Sequence, residues 1–319
     1  MGRAEVQAYL RLRARVVGRQ LRELGWWRLV ALGLLLGLAL ARALATAAAR
    51  PATSWLVPPA VALFVASGHR RRADLTFLAL TMPQPRPGLA AEYSLLATPA
   101  ALALLAWGRW GPALLTVALA AAVAWLPAAT AGTGSSRRRS LFRSVAFEWV
   151  SGGRRGLLVA WAGLLGVSVY TRATAAGPAL ALVAWLLLLV PLYGTPEPWP
   201  QLLAVLRSPA AWLRGRVGWG LLYFGLTSAP LAWVLAGGPA GWAGTAGLLA
   251  WCAVVLTMLV LAKYAFYPQA LLAQLAQAGV VVVGLSILSN NPAYLALLVA
   301  CLLGLLWKSS RRLSHFRHD

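Results

Sequence analysis

The chain has 319 residues, of which 60% are apolar or aromatic and 11% are charged, against about 25% charged in ordinary soluble domains. Its 29 Lys and Arg against 7 Asp and Glu leave a formal net charge of +22, yet the basic residues sit in the gaps between apolar runs. That is the positive-inside pattern of a membrane protein, and it argues against a nucleic-acid-binding surface.

The first 24 residues alternate Arg with Leu and Val, a composition that suits an amphipathic helix lying in the membrane interface. No small-residue cleavage site follows, so this segment is expected to be retained. Apolar runs then predict an all-α, polytopic membrane protein of about ten transmembrane helices, at 26–45, 52–68, 92–107, 112–130, 156–172, 177–193, 217–236, 244–263, 270–288 and 293–307. With both termini cytoplasmic, the clusters Arg3 to Arg22, Arg70 to Arg72, Arg137 to Arg155, Arg207 to Arg216 and Lys308 to Arg317 all fall on one side. Tryptophans such as Trp26, Trp107, Trp110, Trp149, Trp219, Trp242 and Trp307 fall near the helix ends, at headgroup level. Glu5, Glu23, Asp74, Glu92, Glu148, Glu197 and Asp319 fall on the cytoplasmic side or at its boundary, which leaves the bilayer interior almost free of ionisable groups.

The chain also reads as a duplication. Arg11 to Glu23 precede the first apolar run as Arg137 to Glu148 precede the fifth, and Tyr93 and Pro99 correspond to Tyr223 and Pro230. These landmarks divide it into a first four-helix unit (1–130), a second in parallel orientation (131–265), and two further transmembrane helices with a basic tail (266–319).

Segments 70–92 and 194–216 are too long for simple turns and carry Pro83, Pro85, Pro87, Pro196, Pro198, Pro200 and Pro209. They read as short amphipathic helices across the cytoplasmic face. Asp74, Arg86, Glu92, Glu197, Arg207, Arg214 and Arg216 there offer polar contacts to a partner protein. Within the spans, Tyr93, Tyr223, Thr227 and Ser228 are candidates for a polar translocation path.

Chemistry-bearing motifs are few. No phosphate-binding loop, zinc motif or Gly-framed nucleophile is visible, so no catalytic residue, metal ligand or cofactor is assigned. Cys252 and Cys301, in separate apolar runs, read as small core hydrophobes. If the protein moves a substrate, energy is expected to enter from a cytoplasmic partner.

A basic N-terminal helix, a helix pair, a Pro-punctuated cytoplasmic segment and a further helix pair form a layout that resembles the permease subunits of ABC exporters whose ATPase is a separate chain. HRRRADLTFL (69–78), AEYSLLATP (91–99), RSPAAWLRGRVG (207–218) and LAKYAFYP (261–268) are similar to segments of uncharacterised bacterial permease-like proteins encoded beside ABC ATPases. The resemblance implies a bacterial inner-membrane protein in which 70–92 and 194–216 couple to an ABC-type ATPase, with no enzymatic activity of its own. Membrane lipid, and a second copy in a homodimer, are the other partners this layout admits. A secondary transporter or lipid flippase, and a noncatalytic membrane scaffold, remain as alternatives; about ten spans instead of the six common in exporter permeases is the departure from the family pattern.

Overall fold

The computed structural model describes residues 3–70, 72, 74, 75, 78, 85–127, 146–154, 157–194, 197, 208–286 and 292–315. Within the expected helices across 70–92 and 194–216, residues 79–84 and 198–207, which include Arg207, lie outside these residues, as does the basic run Arg137 to Arg143. Every regular element among the described residues is helical. The chain divides into two compact units, Met1–Arg137 and Arg138–Asp319.

The first unit contains α1 (Arg3–Leu24), α2 (Trp26–Ala49), a single turn α3 (Pro51–Ser54), α4 (Val57–Arg70), α5 (Arg86–Ala106) and α6 (Trp110–Ala122), the last continued by a 3₁₀ turn, Val123–Trp125. Gly25 separates α1 from α2 with φ +80°, a conformation that costs glycine little and an L side chain much. Gly108, at φ +68°, ends α5 in the same way, and the amide of Arg109 turns back onto Leu104 O at 2.9 Å. Arg109 in that turn donates from Nε to Ala48 O (3.1 Å), which ties the end of α2 to the α5–α6 connection. Helix α5 packs against α6, which also packs against α4, and α1 and α2 lie along α5. The buried positions are mostly small, including Ala97, Ala100, Ala101, Ala113 and Ala120. Small side chains let helix backbones approach closely, the packing mode of membrane bundles.

The second unit contains α7 (Phe147–Arg154), α8 (Leu157–Tyr170), α9 (Ala176–Leu189) with its 3₁₀ extension Val190–Tyr193, α10 (Pro209–Ala236), α11 (Gly241–Ala265), α12 (Ala270–Ser286) and α13 (Pro292–His315). Helix α10 starts sharply because Ser208 Oγ accepts from the amide of Ala211 (3.4 Å) and Pro209 occupies the first helical position. Helix α11 is the centre of the unit. It is packed by α9, α10, α12 and α13, and Met258 to Ala265 are buried without interruption. Its contact with α12 depends on Gly284, where a Cβ would sit 2.9 Å from Val255 Cγ2; beside it Trp251 Nε1 donates to Gly284 O at 3.1 Å.

A helix lies over each apolar run found in the sequence, and six helical segments are long and apolar enough to cross a membrane: Leu29–Ala49, Arg86–Ala106, Ala176–Tyr193, Ala210–Ala236, Gly241–Ala265 and Ala293–Ser314. Three shorter apolar helices accompany them, at Trp110–Trp125, Leu157–Tyr170 and Leu272–Leu285. Large apolar side chains stand exposed along the bundles, among them Leu63 (71%), Phe64 (73%), Leu114 (70%) and Val159 (76%). Soluble surfaces rarely leave so much contiguous apolar area uncovered, whereas a helix facing lipid must. The chain is therefore read as a multi-pass helical membrane protein.

Candidate functional site

Among the described residues, the ion pairs gather at two places, one in each unit. In the first unit, Arg72, which follows α4, is the hub. Its Nε and Nη2 hold the two oxygens of Asp74 at 2.9 and 2.8 Å, and Nη1 reaches Glu92 Oε2 of α5 at 2.8 Å. Arg13 of α1 donates from Nε to the other oxygen of Glu92 (2.9 Å), and Tyr9, one helical turn earlier, donates its hydroxyl to Glu92 Oε2. Spacing i, i+4 places Tyr9 and Arg13 on one face of α1. Arg72 Nη2 also donates to Tyr9 Oη (3.0 Å), and Nη1 approaches Tyr93 Oη (3.4 Å). From there the network runs inward: Tyr93 Oη pairs with Nδ1 of the buried His69 (2.7 Å), and His69 Nε2 donates to Leu126 O (3.1 Å).

Electrostatics follow the geometry. Hydrogen bonds from the Arg72 guanidinium hold the Asp74 carboxyl below the usual carboxylate range. Burial, aided by Glu92, pushes the Tyr9 hydroxyl up to about 12, and although burial alone would favour its neutral form, hydrogen bonds to Asp74, Glu92 and Tyr9 leave Arg72 more firmly protonated than a free arginine.

In the second unit the hub is Lys263, in the last turn of α11 and wholly buried. Its Nζ contacts Glu197 Oε1 at 2.9 Å and Glu148 Oε1 at 3.3 Å, while Arg216 of α10 reaches Glu148 Oε2 at 3.3 Å. Tyr264 Oη donates to Glu197 Oε1 (2.8 Å), and Tyr267 Oη donates to the Glu197 carbonyl (2.9 Å). Nearby, Gln277 Nε2 donates to Tyr193 O (2.8 Å), and Trp149 Nε1 donates to Tyr193 Oη (3.1 Å). Glu197 Oε2 is buried without a hydrogen-bond partner. Among the described residues each cluster sets two cations against two carboxylates, and each joins the first described helix of its unit, the connector after a helical hairpin, and the helix that contains an internal proline, Pro99 or Pro230.

The residues singled out for docking have different placements. Glu197 is buried and Glu92 half-buried within the clusters, Asp74 keeps 37% of its side chain exposed, and Arg216 is half-buried with its guanidinium over Trp212 (4.2 Å). Arg86 and Arg214 are exposed near the starts of α5 and α10. Arg207 lies outside the described residues. Among the path candidates, Tyr93 belongs to the first cluster, and Tyr223 is packed between Trp149 and Trp219, with ring centroids 5.7 and 5.8 Å away. Thr227 is a packing node: its hydroxyl donates to Tyr223 O (2.8 Å) and accepts from Trp185 Nε1 (3.0 Å), and its carbonyl accepts from Trp161 Nε1 (2.7 Å).

Ser228 is the candidate that reaches a cavity. It lines a groove of about 620 Å³ between α10 and α11, with Leu221, Phe224, Gly225, Trp233 and Trp242 among the other walls. Its hydroxyl is engaged with Gly225 O at 3.3 Å, so the groove is apolar throughout its working surface.

Sequence reasoning overlooked Tyr9, Arg13, Arg72, His69, Glu148 and Lys263 as functional positions. A signal was present for Lys263: it is one of two lysines in the chain and ends a long apolar run. Among the described residues no group of three or more His, Cys, Asp or Glu side chains is arranged to hold a metal ion. Comparisons with family models, curated proteins and solved structures found no match.

Proposed function

We propose that this chain is the membrane-spanning permease subunit of an ATP-driven transporter of exporter type in a bacterial cytoplasmic membrane, working with a separate ABC-type ATPase. About ten spans, both termini cytoplasmic and two parallel helical units complete the reading. The observation that carries it is the way charge fastens the connectors. In one connector Asp74 pairs with Arg13 of α1 and Arg72 with Glu92 of α5; in the other Glu197 pairs with Lys263 of α11, which also holds Glu148 of α7. A cytoplasmic segment joined to the spans through buried ion pairs transmits force into the membrane; a loosely tethered loop would absorb it. Buried ion pairs are poor net stabilisers but good at fixing one arrangement, and that is the property a coupling element requires.

In this reading the clusters hold the connectors in place, and the exposed Arg86 and Arg214 meet the partner. The test is purification of the tagged protein from its native membrane in mild detergent, followed by mass spectrometry. A stoichiometric ATPase, released by the double charge reversal R86E/R214E while the helical content stays intact, supports the proposal. Repeated absence of such a partner, under conditions that preserve other complexes, overturns it in favour of a secondary transporter. The unpartnered buried Glu197 Oε2 is the observation that would then draw attention, as a carboxylate placed at the end of a span.

A further inference from the structure

The groove between α10 and α11 has dimensions and chemistry that identify an occupant. Both walls are candidate membrane spans, so the groove lies where the surrounding solvent is hydrocarbon. From Leu221 to Trp233 it follows α10 for twelve residue steps, about 18 Å at 1.5 Å per residue, close to the ~15 Å of hydrocarbon in one leaflet. Its volume of about 620 Å³ lies within the roughly 300–1,000 Å³ typical of small-molecule sites.

The lining narrows the choice further. Gly225, Ala229, Ala232 and Ala253 give a trough of small side chains flanked by Leu221, Phe224 and Leu249, which fits a flexible unbranched chain better than a flat ring system. The one hydroxyl in it, that of Ser228, bonds to its own helix. A polar or charged ligand portion would therefore be desolvated without compensation. At one end Trp233 and Trp242 meet edge to face, with centroids 5.6 Å apart, beside the turn that joins the two helices. Paired tryptophans at a helix end mark headgroup level, so the polar end of the occupant lies there and its tail runs inward toward Leu221.

We infer that this groove binds one acyl chain of a membrane amphiphile, from the leaflet whose headgroups lie level with Trp233 and Trp242. The inference rests on the membrane-spanning part of the function proposed above and not on the ATPase. If the permease reading holds, it places the substrate among amphiphiles that carry an acyl chain.

The test uses the full chain in nanodiscs of phosphatidylcholine doped with a phosphatidylcholine that carries a photoreactive group in its tail, with labelled peptides mapped by mass spectrometry. Gly225 provides the blocking variant, because a Cβ there meets nothing within 4 Å and a Phe side chain would project into the groove without displacing protein. L226F, at the exposed neighbouring position on the same helix, places the same aromatic side chain outside it. Labelling concentrated on 221–233 and 242–253, lost in G225F and retained in L226F, is the expected result. Labelling spread evenly over exposed helices, or unaffected by G225F, overturns the acyl-chain site. A chain that fails to enter nanodiscs overturns the membrane reading along with it.

Discussion

Lys263 shows how strongly one residue can organise a unit: it is buried among apolar neighbours at the end of α11, yet bridges two carboxylates that lie 115 and 66 residues away in the chain. Removing one partner of such a group leaves charge buried without compensation, at a cost of about 3–5 kcal/mol. K263M is therefore expected to lower the thermal midpoint of the detergent-purified protein sharply, and adding E197Q to restore part of the loss by removing one of the orphaned charges. Equal midpoints for wild type and K263M would show that the cluster does not hold the unit together. In the first unit the signs of the pH effects are set by Asp74 and Tyr9. Because Arg72 depresses the Asp74 carboxyl, its contribution is complete above the ordinary carboxylate value of about 3.9 and is lost as pH falls through the lower folded value, so D74N should flatten the acid limb of a stability profile. Tyr9 runs the other way. Its contribution is complete below the ordinary tyrosine value of about 10 and is lost as pH rises through about 12 in the folded chain, and Y9F should remove that alkaline loss together with one late-titrating tyrosinate in the ultraviolet spectrum.

At the scale of elements, the α11–α12 contact and the α10–α11 groove make opposite predictions for the same kind of change. A methyl group added at Gly284 would meet the stiff γ-methyl of Val255 at 2.9 Å, so G284A is expected to cost about 1–3 kcal/mol by overpacking, and V255A in the same chain to relieve it. G225A adds a methyl group to open space inside a helix and should hold or raise the thermal midpoint. This contrast also shows what the sequence could and could not disclose. Helix positions were legible because a run of some 20 apolar residues is a local property of composition, and Ser208–Pro209 and Gly108 mark ends by local chemistry. Both glycines read alike in sequence, since only packing decides that one faces Val255 and the other a groove. The clusters were illegible for a related reason. Arg13 meets Glu92 across 79 residues and Glu148 meets Lys263 across 115, and no periodicity in a single chain records such distant pairs. What the sequence does offer is scarcity: with 7 acidic residues in 319, each carboxylate is notable, and Asp74, Glu92 and Glu197 stand out for that reason although their partners within the chain are not legible.

For the whole molecule, the arrangement of spans makes a prediction about sidedness. The basic residues near Lys263 and α13, namely Arg216, Lys308, Arg311 and Arg312, mark one end of the second unit as the positive one, and Lys308 lies against Phe266 at 3.7 Å close to the end of α11. The turn between α8 and α9 and the turn between α10 and α11 lie together at a different place, since a Cβ at Gly238 would touch Arg172 O at 3.1 Å. Helix α11 runs from the second of these turns to Lys263, and its 25 residues rise about 37 Å at 1.5 Å per residue, more than the ~30 Å of hydrocarbon in a bilayer. A span of that length predicts the two turns and the Lys263 cluster on opposite faces of the membrane, and the proposed topology makes the basic end the cytoplasmic one. Cysteine placed at the exposed Arg172 should react in intact cells with a reagent that cannot cross the membrane, while cysteine at the exposed Arg311 should react only after permeabilisation. Native Cys252 is buried, and the half-buried Cys301 is replaced by serine in both variants to keep the background low. Reaction at both positions in intact cells would contradict the arrangement of α11, and the reverse pattern would place the charge clusters outside the cell, beyond the reach of any ATPase.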